Sequence, residues 1–107
     1  MVRNQCSKIF TKFKLPKEHF KLLKFVNLEE NGIASWDEID EFRKLPNLKR
    51  LTLNKNPLAK VTYRQGWPEL YMLSMEDCGI DEWYSFDQLN EFPKISNLRV
   101  NGNPILG

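Results

Sequence analysis

Apolar side chains recur along this chain in one order. Four windows follow L-x-x-L-x-L-x-x-N-x-L: Leu23-Val26-Leu28-Asn31-Ile33, Leu48-Leu51-Leu53-Asn56-Leu58, Leu70-Leu73-Met75-Cys78-Ile80 and Ile95-Leu98-Val100-Asn103-Ile105. All 16 positions that the pattern makes apolar are apolar, and the ninth position reads Asn, Asn, Cys, Asn. The alternation around the fourth and sixth positions is the period of a strand with one buried face. Window starts lie 25, 22 and 25 residues apart. The pattern therefore predicts four short parallel strands, with the intervening segments crossing behind the sheet.

This pattern at this spacing is that of a leucine-rich repeat. The fold class it predicts is α/β, a leucine-rich repeat solenoid of four parallel short strands with helical and irregular convex crossings, over residues 23–107. After each strand the backbone turns into the core and leaves buried peptide groups in need of partners. An inward Asn amide supplies both donors and an acceptor, so the ninth positions form a ladder from copy to copy. Cys is a small, commonly buried substitute with a weak S–H donor, and Cys78 reads as structural.

The intervals carry further order. Trp36, Ile39 and Phe42 in the first, and Trp83, Phe86 and Leu89 in the third, fall at i, i+3 and i+6, the stripe of a helix packed on the back of the solenoid. Ser35 and Asp37 are candidate caps for the first helix, and Glu38 is the acidic residue preferred in a first turn. The interval between Leu58 and Leu70, with Val61, Thr62 and Gly66, predicts a tighter, largely non-helical crossing whose Trp67 plugs the convex side. All three tryptophans read as core or back-face packing. Pro46, Pro68 and Pro93 stand two residues before the last three windows, where each stops a crossing. The residue after the ladder position alternates Gly32, Pro57, Gly79, Pro104, and Trp36 and Trp83 lie 47 apart. The unit is a double repeat.

Charge adds a division that the repeats do not show. Residues 1–24 carry seven basic side chains against Glu18 alone, whereas the remaining 83 residues are net −4. Residues 1–22 thus read as a basic N-terminal cap or tail before an acidic body. Ile9, Phe10, Phe13 and Phe20 favour a cap, because the first repeat must be shielded from water. Such a segment also suits nucleic acid, anionic lipid or an acidic protein, although a solvated helix face is the commoner reason for basic residues.

The chemistry for catalysis is missing. His19 has no Ser or Cys placed by motif as its nucleophile, and no phosphate-binding glycine loop or H-E-x-x-H occurs. Two cysteines and one histidine cannot assemble a four-ligand zinc site without carboxylates. The pairs Glu29/Glu30 and Glu76/Asp77 lie just after strands, as ordinary solvated rims. No enzyme activity, metal or cofactor is expected. No apolar run approaches the roughly 20 residues of a membrane span, and no secretory signal opens the chain, which points to the cytosol or nucleus.

What remains is the outward face of the strands. Positions 3, 5 and 7 supply Phe25, Asn27, Glu29; Arg50, Thr52, Asn54; Met72, Ser74, Glu76; and Asn97, Arg99, Asn101. On this concave face Phe25 and Met72 are candidate anchors for a protein partner, and Arg50 and Arg99 candidate partners for its carboxylates. The columns lack a basic stripe, so nucleic acid is not the expected ligand there.

The phrases Gly32-Ile33-Ala34-Ser35-Trp36 and Gly79-Ile80-Asp81-Glu82-Trp83, with Leu89-Asn90-Glu91-Phe92-Pro93 leading to Asn103-Pro104-Ile105, resemble the repeat region of the tubulin-folding cofactor E and cofactor E-like family. The resemblance runs from about Leu23 to Leu106. It implies a tubulin chaperone role: binding α-tubulin, helping heterodimer assembly or driving dimer dissociation, in the cytoplasm in association with the cytoskeleton. The alternative is a generic leucine-rich repeat scaffold with another protein partner. Family members also carry a C-terminal ubiquitin-like domain, and cofactor E an N-terminal CAP-Gly domain. With the last window starting at Ile95, no C-terminal cap follows it, and the expectation is a partial version of a longer protein or an end covered by a partner.

Overall fold

The four windows each form a strand of three residues: β1 (Phe25–Asn27), β2 (Arg50–Thr52), β3 (Met72–Ser74) and β4 (Asn97–Arg99). The computed structural model describes residues 21–106. Of the predicted cap over 1–22, only Lys21 and Leu22 fall among them. The strands make one parallel sheet in chain order, with Val26, Leu51, Leu73 and Leu98 in register. The observed class is α/β, a four-stranded parallel sheet with few helices.

Inward positions build the core. Leu28, Ile33, Leu48, Leu51, Leu53, Leu58, Leu70, Leu73, Met75 and Ile80 are all buried, and each such side chain contributes roughly 2 kcal/mol by leaving water. Protection falls toward both ends: Leu23 and Val26 are half-buried, as are Ile95, Val100 and Ile105.

The ladder is built as its residue types require. Asn56 Oδ1 accepts from the N–H groups of Asn31 and Ile33, both at 3.0 Å, while its Nδ2 donates to Leu28 O at 2.8 Å and Leu53 O at 3.0 Å. Asn103 repeats this on Cys78 N (2.9 Å), Ile80 N (3.1 Å), Met75 O (2.8 Å) and Val100 O (2.7 Å). Each amide thus closes the turn of the preceding copy and ties it to its own. Cys78 donates from Sγ to Leu53 O at 3.2 Å. Burial pushes its thiol above the ordinary 9.0 and the Asp77 charge adds to this, against the opposing backbone N–H groups of Asn56 and Lys55. The sulfur stays protonated and keeps its donor.

The Gly/Pro alternation follows the same accounting. Gly32 and Gly79 have φ of 72° and 80°, a left-handed turn that glycine adopts without strain, and both stand in turns closed by the next copy's Asn. Pro57 stands in the turn followed by Cys78, and there Leu58 N donates within its own turn, to Asn56 O at 2.7 Å. The eighth position of every window, Glu30, Lys55, Asp77 and Gly102, also has positive φ. Only the glycine made that readable from sequence.

The crossings differ from one another. Trp36–Lys44 is a 3-10 helix broken at Ile39 (φ −115°, ψ 16°), and Ser35 with Glu38 forms a capping box at its start. A period of three puts i, i+3 and i+6 on one face, so Trp36, Ile39 and Phe42 are all buried. Leu45 is extended before Pro46, which ends the helix. In α1 (Trp83–Leu89) the period is 3.6 and the same spacing drifts by about 60° a step. Leu89 is buried, Phe86 half-buried and Trp83 65% exposed. Of the expectation of core or back-face packing, Trp83 meets only a contact with Phe86 (5.6 Å) on its own helix, because the turn type swings it outward.

The second crossing is non-helical, as expected, and buries Trp67. Trp67 meets Trp36 (centroids 6.1 Å apart) and Phe92 (5.5 Å), and Tyr63 meets Phe92 (4.9 Å), so one aromatic cluster joins all three crossings. Arg64 Nη1 and Arg43 Nε lie 3.1 and 2.9 Å from Asp40 Oδ1. Burial opposes ionisation of Asp40, but the two guanidinium groups outweigh it and hold its carboxyl below the ordinary 3.8.

Asn56→Ala should lower unfolding stability by about 3 kcal/mol in denaturant titration, because it orphans two buried N–H groups and two carbonyls. Asp40→Asn should cost less than about 1 kcal/mol at neutral pH. Its folded-state pKa is depressed, so the contribution is complete above the ordinary value and fades as pH falls through the folded one. Melts of the two proteins should converge below pH 3.8.

Candidate partner-binding face

Parallel register turns the outward positions into three rows across the sheet. Phe25, Arg50, Met72 and Asn97 align in the first, Asn27, Thr52, Ser74 and Arg99 in the second. Glu29, Asn54, Glu76 and Asn101 follow the strands as the third. The twelve residues singled out in the sequence are thus brought to one face. Phe25, Asn27, Arg50, Asn97, Arg99 and Asn101 are exposed, and Glu29, Thr52, Asn54, Met72 and Glu76 are half-buried. Ser74 departs from the expectation of an outward, open position: it is buried, with Oγ donating to Asn54 Oδ1 at 2.7 Å. A short side chain between longer neighbours is overlaid by them.

The first row has a built centre. The Arg50 guanidinium lies 5.2 Å from the Phe25 ring centroid and 5.8 Å from that of Tyr71. Its Nε donates to Tyr71 Oη at 2.9 Å. Phe25 remains 63% exposed. Two aromatic faces and a hydroxyl fix the arginine in place, so little rotamer entropy remains to be lost when its outer nitrogens meet a carboxylate. Among the described residues neither Arg50 nor Arg99 has a carboxylate partner. Tyr71 was not among the sequence candidates. It occupies the second position of its window, and only the register that sets it beside Arg50 of the neighbouring copy reveals it.

The third row is polar and self-satisfied. Asn54 Nδ2 donates to Glu29 Oε1 at 3.4 Å, Glu76 N donates to Asn54 Oδ1 at 2.8 Å, and Asn101 Nδ2 donates to Glu76 Oε2 at 3.2 Å. Strands lie about 4.8 Å apart, so four carboxylates in this row would repel. Alternating Glu and Asn gives each carboxylate an amide donor from the next copy. The face is therefore cationic and aromatic at the start of β1 and β2, carries Arg99 at the end of β4, and is acidic after the strands. No group of three His, Cys, Asp or Glu side chains able to hold a metal occurs among the described residues. Nor, among them, is any helix long and apolar enough to cross a membrane.

No protein-family model matches the chain, and no solved structure matches it. A stretch of 61 residues, 57% of the chain, is 33% identical to tubulin-folding cofactor E of Arabidopsis thaliana. The chain spans 12% of that relative's length, so the likeness is distant and partial.

The aromatic clamp makes a direct prediction. The Arg50 Nε proton should be slow to exchange with water and visible in nitrogen-15 NMR spectra at neutral pH. Tyr71→Phe, which removes its acceptor, should speed that exchange several-fold while leaving the sheet amide signals in place.

Proposed function

We propose that the chain is a leucine-rich repeat segment that works without enzymatic chemistry, holding a protein partner on the open face of its sheet. The partner we assign is tubulin, through its α subunit, in a chaperone role of folding or heterodimer handling. The observation that carries the reading is the Phe25–Arg50–Tyr71 clamp, on the same face as Arg99, which has no carboxylate partner among the described residues. The clamp presents one fixed cationic group and an exposed ring. Such a face suits an acidic protein surface. The similarity to tubulin-folding cofactor E supports the choice among acidic proteins, and the place of action that follows is the cytoplasm, at the cytoskeleton.

Size sets the strength. Four strands span roughly 15 Å, and twelve side chains fall short of the 20 to 30 per side of a standard interface. Binding by this face alone is expected in the micromolar range. The measurement is pull-down of α-tubulin from lysate on the immobilised chain, followed by titration with purified tubulin. Enrichment over an unrelated repeat protein, and loss of at least about tenfold in affinity on joint Arg50→Glu and Arg99→Glu substitution, support the reading. No enrichment points to a generic scaffold with another partner, and enrichment indifferent to the double variant places the contact elsewhere.

A further inference from the structure

Just before β2, β3 and β4 the chain makes the same kink. The N–H groups of Lys49 and Arg50 both donate to Lys24 O (2.8 and 3.0 Å), those of Tyr71 and Met72 to Lys49 O (3.0 and 3.2 Å), and those of Ser96 and Asn97 to Tyr71 O (2.9 and 3.0 Å). Two consecutive donors on one carbonyl mark a bulge, which re-aims a side chain. Tyr71 shows where the aim falls: its hydroxyl meets Arg50 Nε at 2.9 Å on the concave face. Lys24 and Lys49 hold the same position as Tyr71 in the two preceding copies. The second positions thus add a row at the entry rim of that face.

Charge in this row is not balanced. In the third row Asn54 separates Glu29 from Glu76. Here Lys24 and Lys49 stand one strand spacing of about 4.8 Å apart along the sheet, and Arg50 follows next in the chain. Like charges so placed destabilise a sheet. None of the three has a carboxylate partner among the described residues. Lys49, Arg50 and Tyr71 belong to the second and third copies, whose strands are paired on both sides, so their arrangement owes nothing to either end of the chain. Residues 1–20, with five basic side chains against Glu18, add positive charge rather than offset it.

Positive charge kept against its own repulsion, beside the exposed Phe25 ring and the half-buried Met72, suits an anion with an apolar neighbour. Its extent decides which kind. The cluster is two copies wide, and the far rim of the same face carries Glu29 and Glu76. A long polyanion such as RNA, or an anionic bilayer, would meet those carboxylates as well as the cations. A short acidic stretch of protein meets the cations alone.

We propose that Lys24 and Lys49 act with Arg50 as binding residues of the face, and that they take a short acidic peptide segment, a few consecutive Asp or Glu residues next to an apolar one that packs on Phe25. This rests on the reading of the face as a protein-binding surface and narrows it to one corner. Arg99, two strands away at the end of β4, lies outside that corner.

The probe is a labelled synthetic peptide of six glutamates and one phenylalanine, titrated into the full chain by fluorescence anisotropy at low ionic strength. Saturable binding is expected, weakening several-fold at physiological salt. A peptide with glutamine for every glutamate should not bind. Joint Lys24→Glu and Lys49→Glu substitution should weaken binding at least about tenfold, and joint Lys24→Arg and Lys49→Arg should preserve it. Arg99→Glu should change it less than about twofold. Lys24→Glu alone sets opposite charges across the seam and should raise the melting temperature by a few degrees. An unchanged or lower melting temperature overturns the premise that the two lysines face each other. Absent binding, binding indifferent to the lysine pair, or a loss at Arg99 equal to that at the lysines overturns the proposal. So does tighter binding of a uridine oligonucleotide, or of phosphatidylserine vesicles, than of the peptide. The tubulin reading is separable: peptide binding without tubulin capture would sink that reading alone, and tubulin capture by a chain that leaves the peptide unbound would sink this one alone.

Discussion

A backbone that turns back into its own core after every strand must find partners for the peptide groups it buries there, and no water reaches them. Asn56 and Asn103 meet that demand with side-chain hydrogen bonds to two copies of the repeat. Much else follows from it. Parallel register is set because an amide must reach the turn of the copy before its own. The Gly32 and Gly79 turns present two N–H groups to one oxygen, and Pro57 stands where a sulfur replaces the amide. The 47-residue unit is thus a hydrogen-bonding unit as well as a pattern of letters.

With the backbone satisfied inward, the outer face is left to side chains. Its two rims differ for a physical reason. After the strands, carboxylates in neighbouring copies would face each other across a strand spacing, and interleaved Asn54 and Asn101 relieve this by donating to Glu29 and Glu76. At the start of β2, no carboxylate among the described residues neutralises Arg50, which is held by ring faces and a phenol. One rim is closed electrostatically and the other is left open to an anionic group.

Strands, core and ladder were legible because each depends on residue types at fixed offsets: an apolar residue every second position, an amide at the ninth. Features that depend on a neighbour were not. Tyr71 matters only through Arg50 one copy away, and Ser74 is buried only because longer side chains flank it. The choice between 3-10 and α turns at the two tryptophan helices was equally hidden, since the same three-residue spacing is compatible with both. The left-handed residues Glu30, Lys55 and Asp77 gave no sign either, being imposed by the turn on residues that do not prefer it.

Counting the ladder's links seam by seam shows that they are unequal. Asn56 stitches the first copy to the second and Asn103 the third to the fourth, while the seam between them is crossed by the Cys78 sulfur alone. That middle seam is spanned on the back by Trp36, Trp67 and Phe92. Its other side-chain bonds come from outside the ladder: Asn54 Oδ1 accepts from Ser74 Oγ and Glu76 N, Arg50 donates to Tyr71, and on the back Val61 N and Tyr63 N donate to Ser85 Oγ and Gln88 Oε1. The plane between β2 and β3 is thus buttoned by side chains from outside, where its two neighbours are laced by buried amides from within.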